Sequence, residues 1–338
     1  MTVRFAAIGF AHPHIYGICE ALLNAGAELV SFYDTEPERI ATFSERYPQA
    51  QQAESIEAIL EDDSIQVVAS ASIPNERAPL GAQVMQHGKD FLVAKPAFSS
   101  MEQLEEARRV QAETGRIYSV YFGERFHNHA TIKAGELVHA GAIGQIVQTV
   151  GFGPHRLLGH TPRPDWTFDR SYFGGIINDL ASHQMDQFLY FTGSTTAEVV
   201  AANIGNFKHT QFPRMHDFGD VMVRSPHATG YVRVDWMTPP GLDTWGDVRL
   251  FILGTEGYME LRKNTDIAGR TGGSHLFMVD GKGMHYVECA DVELPFGRQF
   301  LADVRDRTET AMPQAHCFLA SELALQAELK AYELTDLS

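Results

Sequence analysis

The chain has 338 residues, enough for about two domains of ordinary size. Apolar residues make up 44% and charged residues 21%, so the material for a packed core is there, and a disordered or fibrous chain is excluded. A formal charge of −16 sets the surface against phosphate backbones and anionic lipid, so neither nucleic acid nor membrane is an expected partner. No apolar run reaches the ~18 residues that a bilayer span needs, and the first residues read as a short strand rather than a secretion signal. The expected location is the cytoplasm. Cys19, Cys289 and Cys317 share no CxxC spacing and read as buried thiols, not as a disulfide or a zinc site.

Strands are predicted at 3–8, 27–33, 65–70, 90–93 and 117–121, and helices at 15–24, 36–47, 55–60, 77–87 and 101–114. Each strand leads into a helix, which predicts βαβ units and a doubly wound parallel sheet with any ligand at the carboxyl ends of its strands. The rhythm changes after residue 122. A helix at 131–140 and a strand at 145–151 precede a loop rich in Gly, Pro and His, then a helix at 178–191. Strands follow at 198–203, 220–223, 230–236, 247–253, 258–262, 275–279 and 286–287 without helices between them, which reads as an antiparallel sheet. Helices at 300–307 and 318–332 close the chain. The predicted class is α/β, an N-terminal parallel domain followed by an α+β domain.

Gly9-Phe10-Ala11-His12-Pro13-His14 occupies the first strand-to-helix turn, where a dinucleotide sets its pyrophosphate on a helix N-terminus. Of the three glycines in GxGxxG only Gly9 is present; Ala11 and His14 replace the others. An ordinary turn capped by histidine is the competing reading, and His12 with His14 lacks the nearby carboxylates of a metal site. Asp34 ends the second strand. It suits either the ribose hydroxyls of a cofactor, favouring NAD over NADP, or the cap of the helix that starts near Glu36. Lys95 follows the strand at 90–93 and is stiffened by Pro96. In the segment 174–188, Asp179 and His183 lie one helical turn apart, with Asp186 on the same stripe and Leu180, Met185, Phe188 and Leu189 on the other side. A carboxylate beside an imidazole suits general-base work, while a capping Asp and a core His form the bland alternative. Histidines 127, 129, 209 and 216 read as surface residues, and no metal site is expected.

Gly9, Asp34, Pro74-Asn75, Gly88-Lys89, Lys95-Pro96, Gly174-Gly175, Asp179, His183, Asp186 and Gly254-Thr255-Glu256-Gly257, in this order, resemble the Gfo/Idh/MocA oxidoreductases over nearly the whole chain. The resemblance implies a Rossmann domain over 1–122 and a substrate-binding and oligomerisation domain with a large open, mostly antiparallel sheet over 123–315. It also implies a C-terminal helix over 316–338 that packs back on the first domain. Lys95 would contact the reacting hydroxyl, Asp179 would orient the substrate and His183 would be the general acid/base. Gly9, Phe10, Ala11, His12, His14, Asp34, Pro74, Asn75 and Lys95 would line a site for NAD, with NADP as the alternative. The loop 153–170, carrying His155, Arg156, His160, Arg163, Trp166 and Asp169, is expected to wall the pocket for a sugar, cyclitol or related polyol. Three features depart from the family pattern: the degenerate glycine loop, Ala94 before the Lys-Pro, and Ala78 where a histidine often follows the Pro-Asn. Hydride transfer between cofactor and polyol is the expected reaction, in a homodimer or homotetramer. A non-catalytic nucleotide or sugar sensor and an NAD-dependent glycoside hydrolase are the competing readings.

Overall fold

The computed structural model describes residues 2–159 and 163–335, so His160 lies outside the described residues. The chain divides into two compact units, one running through Tyr121 and including Pro295–Phe318, the other holding Phe122–Leu294 and the chain from Leu319 onward.

The first unit is built on strands β1 (Arg4–Ile8), β2 (Glu28–Tyr33), β3 (Gln51–Gln52), β4 (Val67–Ser70), β5 (Asp90–Ala94) and β6 (Tyr118–Tyr121). All pair in parallel, in the order β3-β2-β1-β4-β5-β6. Strands β4, β5 and β6 are buried along their whole length, as parallel strands covered on both faces must be. Crossovers are made by α1 (His14–Asn24), α2 (Pro37–Arg46), α3 (Ile56–Leu60), α4 (Pro74–Gln86) and α5 (Met101–Thr114). Two exposed glutamines make up β3, which no apolar alternation announces. The strand order reverses at β1, and that reversal opens a ligand crevice at the carboxyl ends of β1 and β4.

The segment Pro295–Phe318, expected in the second domain up to residue 315, belongs to this first unit. Its helix Phe296–Asp306 packs on α1. Arg307 then donates to both carboxylate oxygens of Asp90 at 2.8 and 2.5 Å. Gln314 accepts the N–H of Tyr118 on the edge strand β6 at 2.9 Å.

The second unit carries a nine-stranded sheet. Its strands are β7 (Ile146–Pro154), β8 (Glu198–Gly205), β9 (Phe218–Arg224), β10 (Thr229–Asp235), β11 (Arg249–Gly254), β12 (Gly257–Arg262), β13 (His275–Asp280), β14 (Gly283–Val287) and β15 (Tyr332–Glu333). They run in the order β14-β13-β12-β11-β7-β10-β9-β8-β15. Only β7/β10 and β8/β15 pair in parallel. Helix His129–His139 covers part of one face, where Ala130, Ala134, Leu250, Ile252, Met259 and Leu261 form a core. Val200, Met222, Leu253, Tyr258, Met284 and Tyr286 are exposed. Helix Gln314–Lys330 begins in the first unit, with the Phe318 ring 5.9 Å from that of Tyr118, and from Leu319 it belongs to the second. All three cysteines are buried, and among the described residues no helix is long and apolar enough to cross a membrane.

Candidate active site

In the first unit the turn after β1 is held by backbone. Gly9 donates to Tyr33 O at 2.9 Å and accepts from Ala71 N at 3.0 Å, while His12 N–H donates to Ala71 O at 3.0 Å. The loops that follow β1 and β4 are thereby tied together at the strand-order reversal. Gly9 has φ +76°, and a Cβ there would lie 2.6 Å from Ser72 Cβ, so glycine is required on both counts. Phe10 is buried, stacks on Phe43 at 4.1 Å and donates its N–H to Asp34 Oδ2 at 2.6 Å. His12 Nδ1 accepts the N–H of His14, the first residue of α1, at 3.2 Å, while the N-cap position itself is Pro13 with no side-chain cap. Ala11 sits half-buried between them.

Asp34 Oδ1 accepts the N–H of Glu36 at 2.9 Å in the turn before α2, whose own N-cap Glu36 makes no side-chain cap bond. The same oxygen takes Nε and Nη2 of Arg39 at 3.0 and 2.8 Å, and the carboxylate is only 2% exposed. Arg39 was not foreseen. Pro74 opens α4, and Asn75 beside it has a buried Oδ1 with no hydrogen-bond partner among the described residues. A close-approach glycine at the reversal, a carboxylate closing β2 and a buried amide oxygen that wants a donor together fit a dinucleotide. Lys95, at the end of β5, is buried. The turn that carries it is gripped by Arg77, which is fully buried. Arg77 Nε donates to Ser72 O at 2.7 Å, and Nη1 to the carbonyls of Ala94, Lys95 and Pro96 at 3.1, 2.8 and 2.9 Å.

In the second unit Asp179 and His183 follow the Gly174-Gly175 pair. A Cβ on Gly175, where φ is +101°, would fall 2.0 Å from Glu328 Oε1. Glu328 Oε2 accepts the N–H of Ile177 at 2.8 Å. Burial lifts the Glu328 carboxyl to about 7, against the pull of the Ile177 and Asn178 amides and of Arg170. The helix expected at 178–191 is not α-helical throughout: Ile177–Ala181 forms a π-turn, and the α-helix is Ser182–Thr192. The apolar spacing of this segment fits either winding, so the wider turn left no mark in the sequence.

Asp179 is half-buried and His183 buried, its ring edge-on to Phe122 at 6.2 Å. Arg163 is the charged neighbour of Asp179: burial lowers the pKa of its guanidinium and Asp179 raises it. Its place is fixed by donation to Leu157 O and Arg156 O at 3.2 and 2.9 Å and by the Trp236 ring at 5.1 Å. Asp186 is a core residue, fully buried in a two-point ion pair with Arg125 at 2.8 and 2.7 Å.

The loop residues divide. His155 stands 4.4 Å from Trp245 and 5.3 Å from Trp236, with Nδ1 3.0 Å from Gly153 O. Arg156, expected to bind substrate, directs Nη2 to the carbonyls of Pro239, Leu242 and Thr244 and so holds that loop. Trp166 is half-buried in the 3₁₀ turn Asp165–Phe168, and Asp169 pairs with Arg214 at 2.7 Å. His209 and His216 are buried, not on the surface as expected. His209 Nε2 lies 3.0 Å from Trp236 O, and His216 Nε2 lies 3.0 Å from Arg170 Nη1. Among the described residues no group of three His, Cys, Asp or Glu side chains is placed to hold a metal.

A parallel sheet in this order, with a glycine turn at its reversal, defines a unit of the dinucleotide-binding class. The chain belongs to the GFO/IDH/MocA oxidoreductase family: the family's NAD-binding Rossmann profile matches residues 4–122, and its C-terminal domain profile matches residues 131–260. A solved structure from Erwinia carotovora atroseptica SCRI1043 superposes with a TM-score of 0.95, at 45% identity over 99% of this chain and 100% of that one. Scyllo-inositol 2-dehydrogenase (NAD(+)) of Bacillus subtilis (strain 168) is 24% identical over 320 residues, 91% of this chain and 85% of that protein. Levoglucosan dehydrogenase, solved with NADH and levoglucosan, shares the fold at a TM-score of 0.78 and 17% identity, over 98% of each chain.

Proposed function

We propose that the protein interconverts a hydroxyl and a carbonyl on a cyclitol, sugar or related polyol. The observation that carries this reading is the Asp179–His183 pair on one helical segment, with Arg163 fixed beside the carboxylate. Bound NAD, or NADP, supplies the hydride acceptor or donor for the reacting carbon. Gly9, Phe10, Ala11, His12, His14, Asp34, Pro74 and Asn75 would hold it. His183 takes the hydroxyl proton in oxidation and returns it in reduction, a role an imidazole suits because its two ring nitrogens can accept and donate a proton. Asp179 orients the substrate hydroxyls, and Lys95 stabilises charge that develops on the reacting oxygen. His155 and Trp166 contribute to the pocket wall. The Bacillus relative's named substrate and the levoglucosan held by the solved relative support the polyol class.

The test is a panel of inositols, D-xylose and levoglucosan with NAD+ or NADP+, read by reduced-nicotinamide absorbance. Turnover of at least one polyol, absent in His183→Ala, is expected. Tight binding of a polyol with no turnover would replace this reading with that of a sensor. We further infer that exposed Val200, Met222, Leu253, Tyr258, Met284 and Tyr286 pair with a second copy in a cytoplasmic homodimer or homotetramer, since uncovered apolar sheet is a liability. Light scattering showing only monomer at micromolar concentration would end that inference.

A further inference from the structure

We propose that Arg77 is a positioning residue that sets Lys95 against the loops following β1 and β4. The inference rests on the reading of Lys95 as a group that acts on substrate. A guanidinium taken fully out of water loses much hydration, and it is kept inside only where its donors are well used. Here they reach two loops at once: Nε holds Ser72 O in the loop after β4, and Nη1 holds three successive carbonyls of the turn after β5. With the carbonyls of Ala94, Lys95 and Pro96 drawn to one point, the backbone on both sides of Lys95 is fixed, and with it the direction in which the side chain leaves. Ser72 in turn is the residue against which Gly9 packs, and its neighbour Ala71 exchanges backbone bonds with Gly9 and His12. The guanidinium therefore sets one distance, from the glycine turn to the lysine turn. Both turns stand at the ends of neighbouring or next-neighbouring strands, β1, β4 and β5.

Lysine cannot replace this fork. A single ammonium on a flexible stem reaches one or two of the four carbonyls and leaves the others to drift. Arg77→Lys is thus the informative change, with Arg77→Gln as a second variant that keeps two donors without charge. Hydrogen exchange needs no substrate: Arg77→Lys should exchange about tenfold faster at 71–74 and 94–98, with the rest of the parallel sheet unchanged. No local rise, or an equal rise throughout the unit, overturns the proposal.

Kinetics supply the second arm, using the panel polyol that is turned over fastest. Misplacement of a reacting group by about an ångström can cost on the order of a hundredfold. Arg77→Lys should therefore lower kcat by about ten- to a hundredfold while the KM for cofactor moves by less than about threefold. In the Lys95→Ala background the same substitution should change kcat little, because a residue that acts through Lys95 has nothing left to position. Normal kcat per folded molecule in Arg77→Lys, with Lys95→Ala impaired, removes Arg77 and leaves the proposed function standing. Losses that simply add assign Arg77 to general stability and also remove it. Normal turnover in Lys95→Ala ends the role of Lys95 and this inference together.

Discussion

The two units present their chemistry by different means. In the first, the candidate cofactor site is mostly backbone: a glycine turn, the peptide bonds that tie it to Ala71, and a buried guanidinium that holds carbonyls. In the second, the candidate residues are side chains on one helical segment, seated by Glu328 beneath Gly175. A site made of backbone can lose the side chains of its usual motif, as Ala11 and His14 do here, provided the turn keeps its path. A site made of side chains has no such latitude in the groups themselves but depends little on the sequence around them.

The strongest test of that contrast is His183→Ala. General-base contributions are about 10²–10⁴ in rate, so turnover should fall on that order while NADH affinity, read by its fluorescence, stays within about twofold. An equal loss of cofactor binding would mean that the two sites are not separable. Gly175→Ala probes the seat instead of the group. A methyl at φ +101° driven into the Glu328 carboxylate should cost about 2–4 kcal/mol in urea unfolding, and a cost below about 0.5 kcal/mol would contradict the described packing.

Glu328 adds a pH dependence whose sign is determined. Its native carboxyl is lifted to about 7 from the ordinary 4.5, so between these values the folded protein keeps a proton that the unfolded chain has released. This contribution is fully present below about pH 4.5 and is lost as pH rises through 7, at most about 3 kcal/mol in all. Glu328→Gln cannot titrate, so its stability relative to the parent should rise between pH 5 and 8; parallel melting curves would refute the assignment.

The smallest effect belongs to the first site. Asp34 would repel a 2′-phosphate, but Arg39 sits on the same oxygen and offsets that repulsion. NAD should still bind more tightly than NADP, and Arg39→Ala should widen the preference severalfold, about 1 kcal/mol or less for a partly exposed pair. Calorimetric titration with both cofactors checks it, and a preference for NADP in the parent protein would take Asp34 out of that role.

Much of this was legible before the structure. Strand and helix alternate so regularly to Tyr121 that the parallel sheet follows from the pattern, and the spacing of Asp179 and His183 places them on one face whether the turn is α or π. What escaped depends on partners remote in the chain. Glu328 lies 151 residues from the amide it accepts, and nothing in a helical sequence tells which backbone a carboxylate will meet. Arg77, at the start of the helix expected at 77–87, gives no signal in the sequence because carbonyl partners leave no trace in side-chain sequence. Arg156 shows the same limit: its type suits a substrate, and only the fold shows that it also holds Pro239 and Thr244.

The attachment of Pro295–Phe318 to the first unit has a consequence for synthesis. A chain leaving the ribosome finishes β6 long before Gln314 exists to take its edge amide, or Arg307 to neutralise the buried Asp90. At about 5–20 residues per second, that wait lasts on the order of ten to forty seconds. Throughout it the parallel sheet has an open edge and an unpaired buried charge, the condition in which nascent sheets associate wrongly. The unit whose sequence starts first is therefore completed only near the end of synthesis, at Phe318. A fragment ending near residue 122 should be aggregation-prone when expressed alone, and supplying 295–318 in the same chain should restore its solubility.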